Sequence, residues 1–91
     1  MKTIEKVSLE IQTAKEKYGP FHSTHGVYGV LAEEIQEFFD VVKEKPIHQN
    51  EFMASEKTES KANRMIQELI QIAAISLRAI DELEHDQIKW V

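Results

Sequence analysis

The chain predicts an all-α fold, an antiparallel bundle of about three helices completed by oligomerisation. Two observations lead there. Apolar residues recur at alternating spacings of three and four in three long stretches, and those stretches are separated by Gly19-Pro20 and by Pro46. No stretch alternates apolar and polar residues as a half-buried strand would, and no internal repeat or low-complexity tract is present.

The first helix is expected over residues 3 to 18, with Thr3 as its cap and Ile4, Val7, Ile11, Ala14 and Tyr18 as one narrow buried stripe. Gly19-Pro20 ends it, since glycine suits a C-terminal cap and proline cannot continue the hydrogen-bond ladder. Ser23 or Thr24 then caps a second helix running to about Lys45, where Pro46 stops it. Residues 46 to 57 show no sustained period and read as a connector with one short helical turn near Phe52. A third helix should begin near Thr58 or Ser60 and run to about His85. Between Met65 and Ile80 eleven of sixteen residues are apolar and cover more than one face, which two companion helices from the same chain would struggle to bury. A second subunit is the expected remedy, as a homodimer or homotetramer. The last residues, Asp86 to Val91, read as a frayed end or a strap that tucks Trp90 onto a neighbour.

Ninety-one residues predict one domain, small enough to gain from association. The absence of cysteine removes disulfides, thiolate metal sites and cysteine nucleophiles, and fits a reducing compartment. The segment MKTIEKVSLEIQ interleaves charge with apolar residues, unlike a signal peptide or a membrane span, so the expectation is a soluble cytoplasmic protein with no membrane partner. A net charge of -5 argues against a nucleic-acid polymer as ligand, because no basic patch is available to displace counterions. A single nucleotide carried in with metal ions remains compatible with that charge.

The second helix carries the first chemical signal. In GVLAEEIQEFFDVV, Glu34 and Glu37 fall among Val30, Leu31, Phe38 and Val41 at helical spacing, where a buried face should be apolar. Unpaired carboxylates there cost several kcal/mol each, so protonation, a basic partner or a metal ion must neutralise them. With Glu33 the motif is EExxE, and oxygen-only ligands suit a hard cation such as Mg²⁺ or Mn²⁺. A solvated acidic edge paired with lysines is the competing reading. On the third helix Glu68 again borders apolar positions, with Gln71 one turn further on the same face. If the second and third helices pack antiparallel, Glu34 and Glu37 face Glu68 and Gln71 across the core. Glu68 paired with Arg64 or Lys61 is the alternative, and those two basic residues are equally suited to phosphate oxygens near a metal. Phe21, His22, His25 and Tyr28 form an aromatic group that could stack on a nucleobase or serve capping and packing.

The segments YGPFHSTHGVYGVLAEEIQEFFDVVK and ELIQIAAISLRAIDEL resemble the small MazG-like, all-α nucleoside triphosphate pyrophosphohydrolases, over roughly Tyr18 to Leu83. The resemblance implies a single MazG-like helical domain over residues 1 to 91, assembled as a dimer or dimer of dimers. It also implies Mg²⁺-dependent hydrolysis of a nucleoside triphosphate to the monophosphate and pyrophosphate. It places Glu34, Glu37 and Glu68 at metal-ligand positions, whereas Gln71 stands where the family's ExxD motif has aspartate. In that mechanism Glu33 orders or deprotonates the attacking water. Gln71 brings no charge, which keeps two other readings open, a catalytically silent helical dimerisation or adaptor module and a nucleotide sensor.

Overall fold

The computed structural model describes residues 1 to 44 and 60 to 88. The connector from 46 to 57, its expected turn near Phe52, and Trp90 lie outside those residues. Among the described residues there are three helices, α1 (Thr3–Tyr18), α2 (Thr24–Lys43) and α3 (Lys61–Glu84), and no strand. No helix among them is long and apolar enough to cross a membrane.

Local chemistry sets the helix ends. Lys2, not Thr3, is the N-cap of α1, and the Glu5 carboxylate reaches back to accept from the Lys2 backbone N–H at 3.1 Å. A carboxylate in the first turn does for α1 what the Thr3 hydroxyl was expected to do. Gly19 follows α1 at φ 71°, and its N–H closes onto Lys15 O, a conformation in which any side chain would be strained. Ser23 caps α2 by accepting from the Gly26 N–H at 3.0 Å, and Ser60 caps α3 by accepting from the Asn63 N–H at 3.1 Å. At the far end of α3, Asp86 turns left-handed at φ 53° while the Gln87 N–H donates to Glu82 O. That turn carries Ile88 back to pack with Phe21 and Ala79, and Val27 and Ile75 lie against the cluster.

α3 is the element on which both other helices pack, and α1 and α2 do not pack on each other. α2 runs antiparallel to α3: Phe21, at the entry to α2, meets Glu82 near the end of α3, and Lys61, at the start of α3, meets Val42 and Glu44 at the end of α2. α1 runs in the same sense as α3, with Lys15 paired to Asp81 at 3.8 Å at their C-terminal ends. The buried seam of α2 comprises Val27, Leu31, Glu34, Phe38 and Val41, a strict alternation of fours and threes, so Val30 and Glu37 fall on an exposed flank instead of in the stripe. On α1 the stripe is shorter than expected, since Val7, Ile11 and Ala14 are covered while Ile4 and Tyr18 stay exposed. On α3 the side away from both partners presents Ile66, Leu69, Leu77 and Ile80 to solvent. Leu69 and Ile80 therefore join Ile66 and Leu77 on one face, and are separated from Met65 and Ile72.

Candidate metal centre

Antiparallel packing of α2 on α3 brings the carboxylates of Glu34, Glu37 and Glu68 together, with one oxygen from each within 4.8 Å of the others. Glu34 and Glu68 are half-buried and Glu37 is exposed, so the cluster sits at the edge of the interhelical seam. One oxygen on each of the two covered residues, Glu34 Oε2 and Glu68 Oε2, is buried without a hydrogen-bond partner. Two carboxylates cannot bond to each other unless one carries a proton, and burial makes their shared charge costly. The Glu34 carboxyl is accordingly pushed up to about 8, by burial first, then by hydrogen bonding to Glu68 and the repulsion of Glu37. A proton satisfies the site at low pH, and the same orphan oxygens could hold a hard divalent cation once the proton leaves. The donor set, oxygen only and triply acidic, fits Mg²⁺ or Mn²⁺.

Because α1 and α2 both lean on α3 while their backbones stay apart, a cleft of about 650 Å³ opens between them. α2 contributes Glu33 and Glu34 to its wall, α1 contributes Glu10 and Lys17, and its floor is Gln71, Ile75 and Arg78 of α3. Glu33 is exposed at the cleft edge beside the metal-type cluster, and Gln71 lies half-buried one helical turn from Glu68. The structure therefore brings Glu34, Glu37 and Glu68 together and sets Glu33, Glu34 and Gln71 along one cleft.

Lys61, Arg64, His25 and Tyr28 do not line this cleft. Lys61 Nζ donates to Val42 O at 2.9 Å and Glu44 O at 2.7 Å, and the Arg64 guanidinium forks onto the Glu44 carboxylate at 2.6 and 2.5 Å. Both basic side chains thus serve the C-terminal end of α2, whose last carbonyls lack partners within the helix. The rings of His25 and Tyr28 lie 6.4 Å apart and tilted by 51°. Tyr28 borders a shallow depression with Leu31, Ile35 and Phe39 on the flank of α2 away from the cleft. Position 25 lies about half a helical turn, and position 28 about a third of a turn, round the axis from Glu34, so an aromatic pair next to the cluster in sequence stays out of the cleft in space. Phe21 and His22, from the same aromatic group, do line the cleft.

Sequence reasoning passed over Arg78 and Glu82, both almost fully buried. Glu82 Oε1 accepts from the Phe21 N–H at 2.7 Å, its Oε2 lies 3.2 Å from Arg78 Nε, and the Arg78 guanidinium covers the Phe21 ring at 3.9 Å from the centroid. The signal was available in ISLRAIDEL, where Arg78 and Glu82 interrupt an apolar run four residues apart, as Glu34 does in α2.

Compared with models of known families, with curated proteins and with solved structures, the chain matches none.

Proposed function

We propose that Glu34, Glu37 and Glu68 bind Mg²⁺, or Mn²⁺ in its place, and that the chain is a Mg²⁺-dependent nucleoside triphosphate pyrophosphohydrolase releasing pyrophosphate and a monophosphate. The observation that carries the reading is the convergence of three carboxylates from two helices on one point, with two buried oxygens left without partners and with Glu34 lining a ligand-sized cleft. The choice of nucleotide pyrophosphohydrolysis adds to this the resemblance of EExxE and the downstream ELIQIAA helix to MazG-like enzymes. A bound divalent cation would neutralise phosphate oxygens and polarise the phosphorus under attack.

Each residue then has a task set by its place. Glu34 would give up its proton and, with Glu68 and Glu37, hold the cations that neutralise an anionic ligand. Glu33, exposed at the cleft edge, accepts a proton from the attacking water. Gln71 offers a carbonyl oxygen on the floor in place of a fourth charge. This neutral group favours one other reading, a sensor that holds a triphosphate without cleaving it. The exposed apolar faces of α2 and α3 support assembly as a homodimer or homotetramer, and the lack of cysteine accords with a cytoplasmic setting.

The test is pyrophosphate release from a panel of nucleoside triphosphates with Mg²⁺, run beside thermal melting. Wild type should hydrolyse at least one substrate and melt higher with Mg²⁺, Glu33→Gln should keep the thermal response and lose hydrolysis, and Glu34→Gln should lose both. A nucleotide-dependent melting shift with no pyrophosphate would select the sensor. Identical melting of wild type and Glu34→Gln with and without Mg²⁺ would remove the metal centre.

A further inference from the structure

The Arg78 guanidinium lies on the cleft floor with only 7% of the residue exposed. Its face rests on the Phe21 ring, and its Nε faces Glu82 at a distance that suits an ion pair but too bent for a hydrogen bond, so Nε stays without an acceptor. No hydrogen bond ties its terminal nitrogens to any of the described residues. Phe21 and Glu82 are themselves locked by the Phe21 N–H bond to Glu82, which holds the guanidinium plane in place. Arginine used only to neutralise Glu82 would spend its donors on that carboxylate; here a buried cation keeps donors in hand at a cavity wall. A guanidinium so placed is suited to receive an anion.

We infer that Arg78 is a phosphoryl-binding subsite at the far end of the cleft from the carboxylate cluster, taking the distal phosphate of a polyphosphate-bearing ligand. The inference deepens the reading above, and rests on it only for where the ligand's other end is held. Arg78 follows Glu68 by ten residues, roughly 15 Å along the axis of α3, and helical side chains lean toward the N-terminus, which draws its head toward Glu68. A chain of phosphates can bridge that gap where a single phosphate cannot. Lys17 lines the same cleft and adds positive charge near this end, whereas Glu10 and Glu33 make the rest of it hostile to an anion without cations. The two ends therefore select together for a ligand that brings metal at one end and bare phosphate at the other.

The probe is inorganic tripolyphosphate, titrated calorimetrically with and without Mg²⁺ into wild type, Arg78→Lys and the charge-neutral pair Arg78→Gln/Glu82→Gln. The double variant removes both buried charges, so Arg78 is not deleted at the cost of an orphan Glu82, and circular dichroism reports its folding. Tripolyphosphate affinity should fall roughly tenfold or more in the double variant and by less in Arg78→Lys, which keeps the charge but loses the fork. Mg²⁺ affinity should stay within about twofold of wild type, a result that a merely structural role for Arg78 would not produce. If the double variant does not fold, Arg78→Lys decides alone. Undiminished tripolyphosphate binding in the folded variants, no binding to wild type, or equal losses of Mg²⁺ and tripolyphosphate would each overturn the inference. Arg78-dependent tripolyphosphate binding by a wild type indifferent to Mg²⁺ would uphold it and remove the metal centre instead.

Discussion

Glu34 is a glutamate in a leucine's place, and its ionisation is coupled to both stability and metal binding. Its carboxyl is raised from an ordinary 4.5 to about 8, chiefly by burial and by its neighbours Glu68 and Glu37. A group raised on folding contributes stability that is fully present below its unfolded value and is lost as pH climbs through the folded one. Without metal, the melting temperature of wild type relative to Glu34→Gln should therefore decline between about pH 4.5 and 8. Mg²⁺ competes with the same proton, so its affinity should rise over that window and level off above it. A wild-type minus Glu34→Gln difference that did not change with pH would mean that Glu34 shares no proton with Glu68.

At the scale of helices, the three elements are held by unlike means. α2 is tied to α3 at both ends, by Phe21 on Glu82 where α2 begins and by Lys61 and Arg64 on the residues where α2 stops, with the carboxylate cluster between. The lower tie is partly exposed, so its contribution is modest despite the forked geometry. Glu44→Gln should lower stability to urea by about 0.5 to 1 kcal/mol, without changing the helical circular dichroism. An unchanged midpoint would show that the fork holds α3 in register without adding net stability. The extents of the helices were legible from periodicity and from Gly19, Ser23 and Ser60, whereas the Glu44 fork was not, because it joins residues twenty apart across the connector.

For the molecule as a whole, the unusual quantity is how much apolar surface one chain leaves uncovered. Tyr28, Ile35, Phe39 and Val42 on α2 and Ile66, Leu69, Leu77 and Ile80 on α3 are all exposed, each set at helical spacing. Three helices in which the central one is covered by two neighbours leave its third side bare. Light scattering on a sizing column should return a dimer or tetramer at micromolar concentration, and the melting temperature should rise with protein concentration. A well-folded monomer would mean that these faces are tolerated in water.

The sequence by itself determined the helical class, the positions of the three helices, the carboxylates set in apolar stripes at Glu34 and Glu68, and the excess of apolar surface on α3, because all of these follow from spacing along one helix. Only the tertiary structure decided which seam of α2 is buried, so that Glu34 lies inside and Glu37 at its rim. It also turned His25 and Tyr28 away from the cleft, engaged Lys61 and Arg64 at the end of α2, and set Arg78 on Phe21 against Glu82. Those outcomes depend on how α1 and α2 dock on α3. Periodicity settles which residues share a face of one helix, and the rotation of each helix about its axis is settled only by what packs against it.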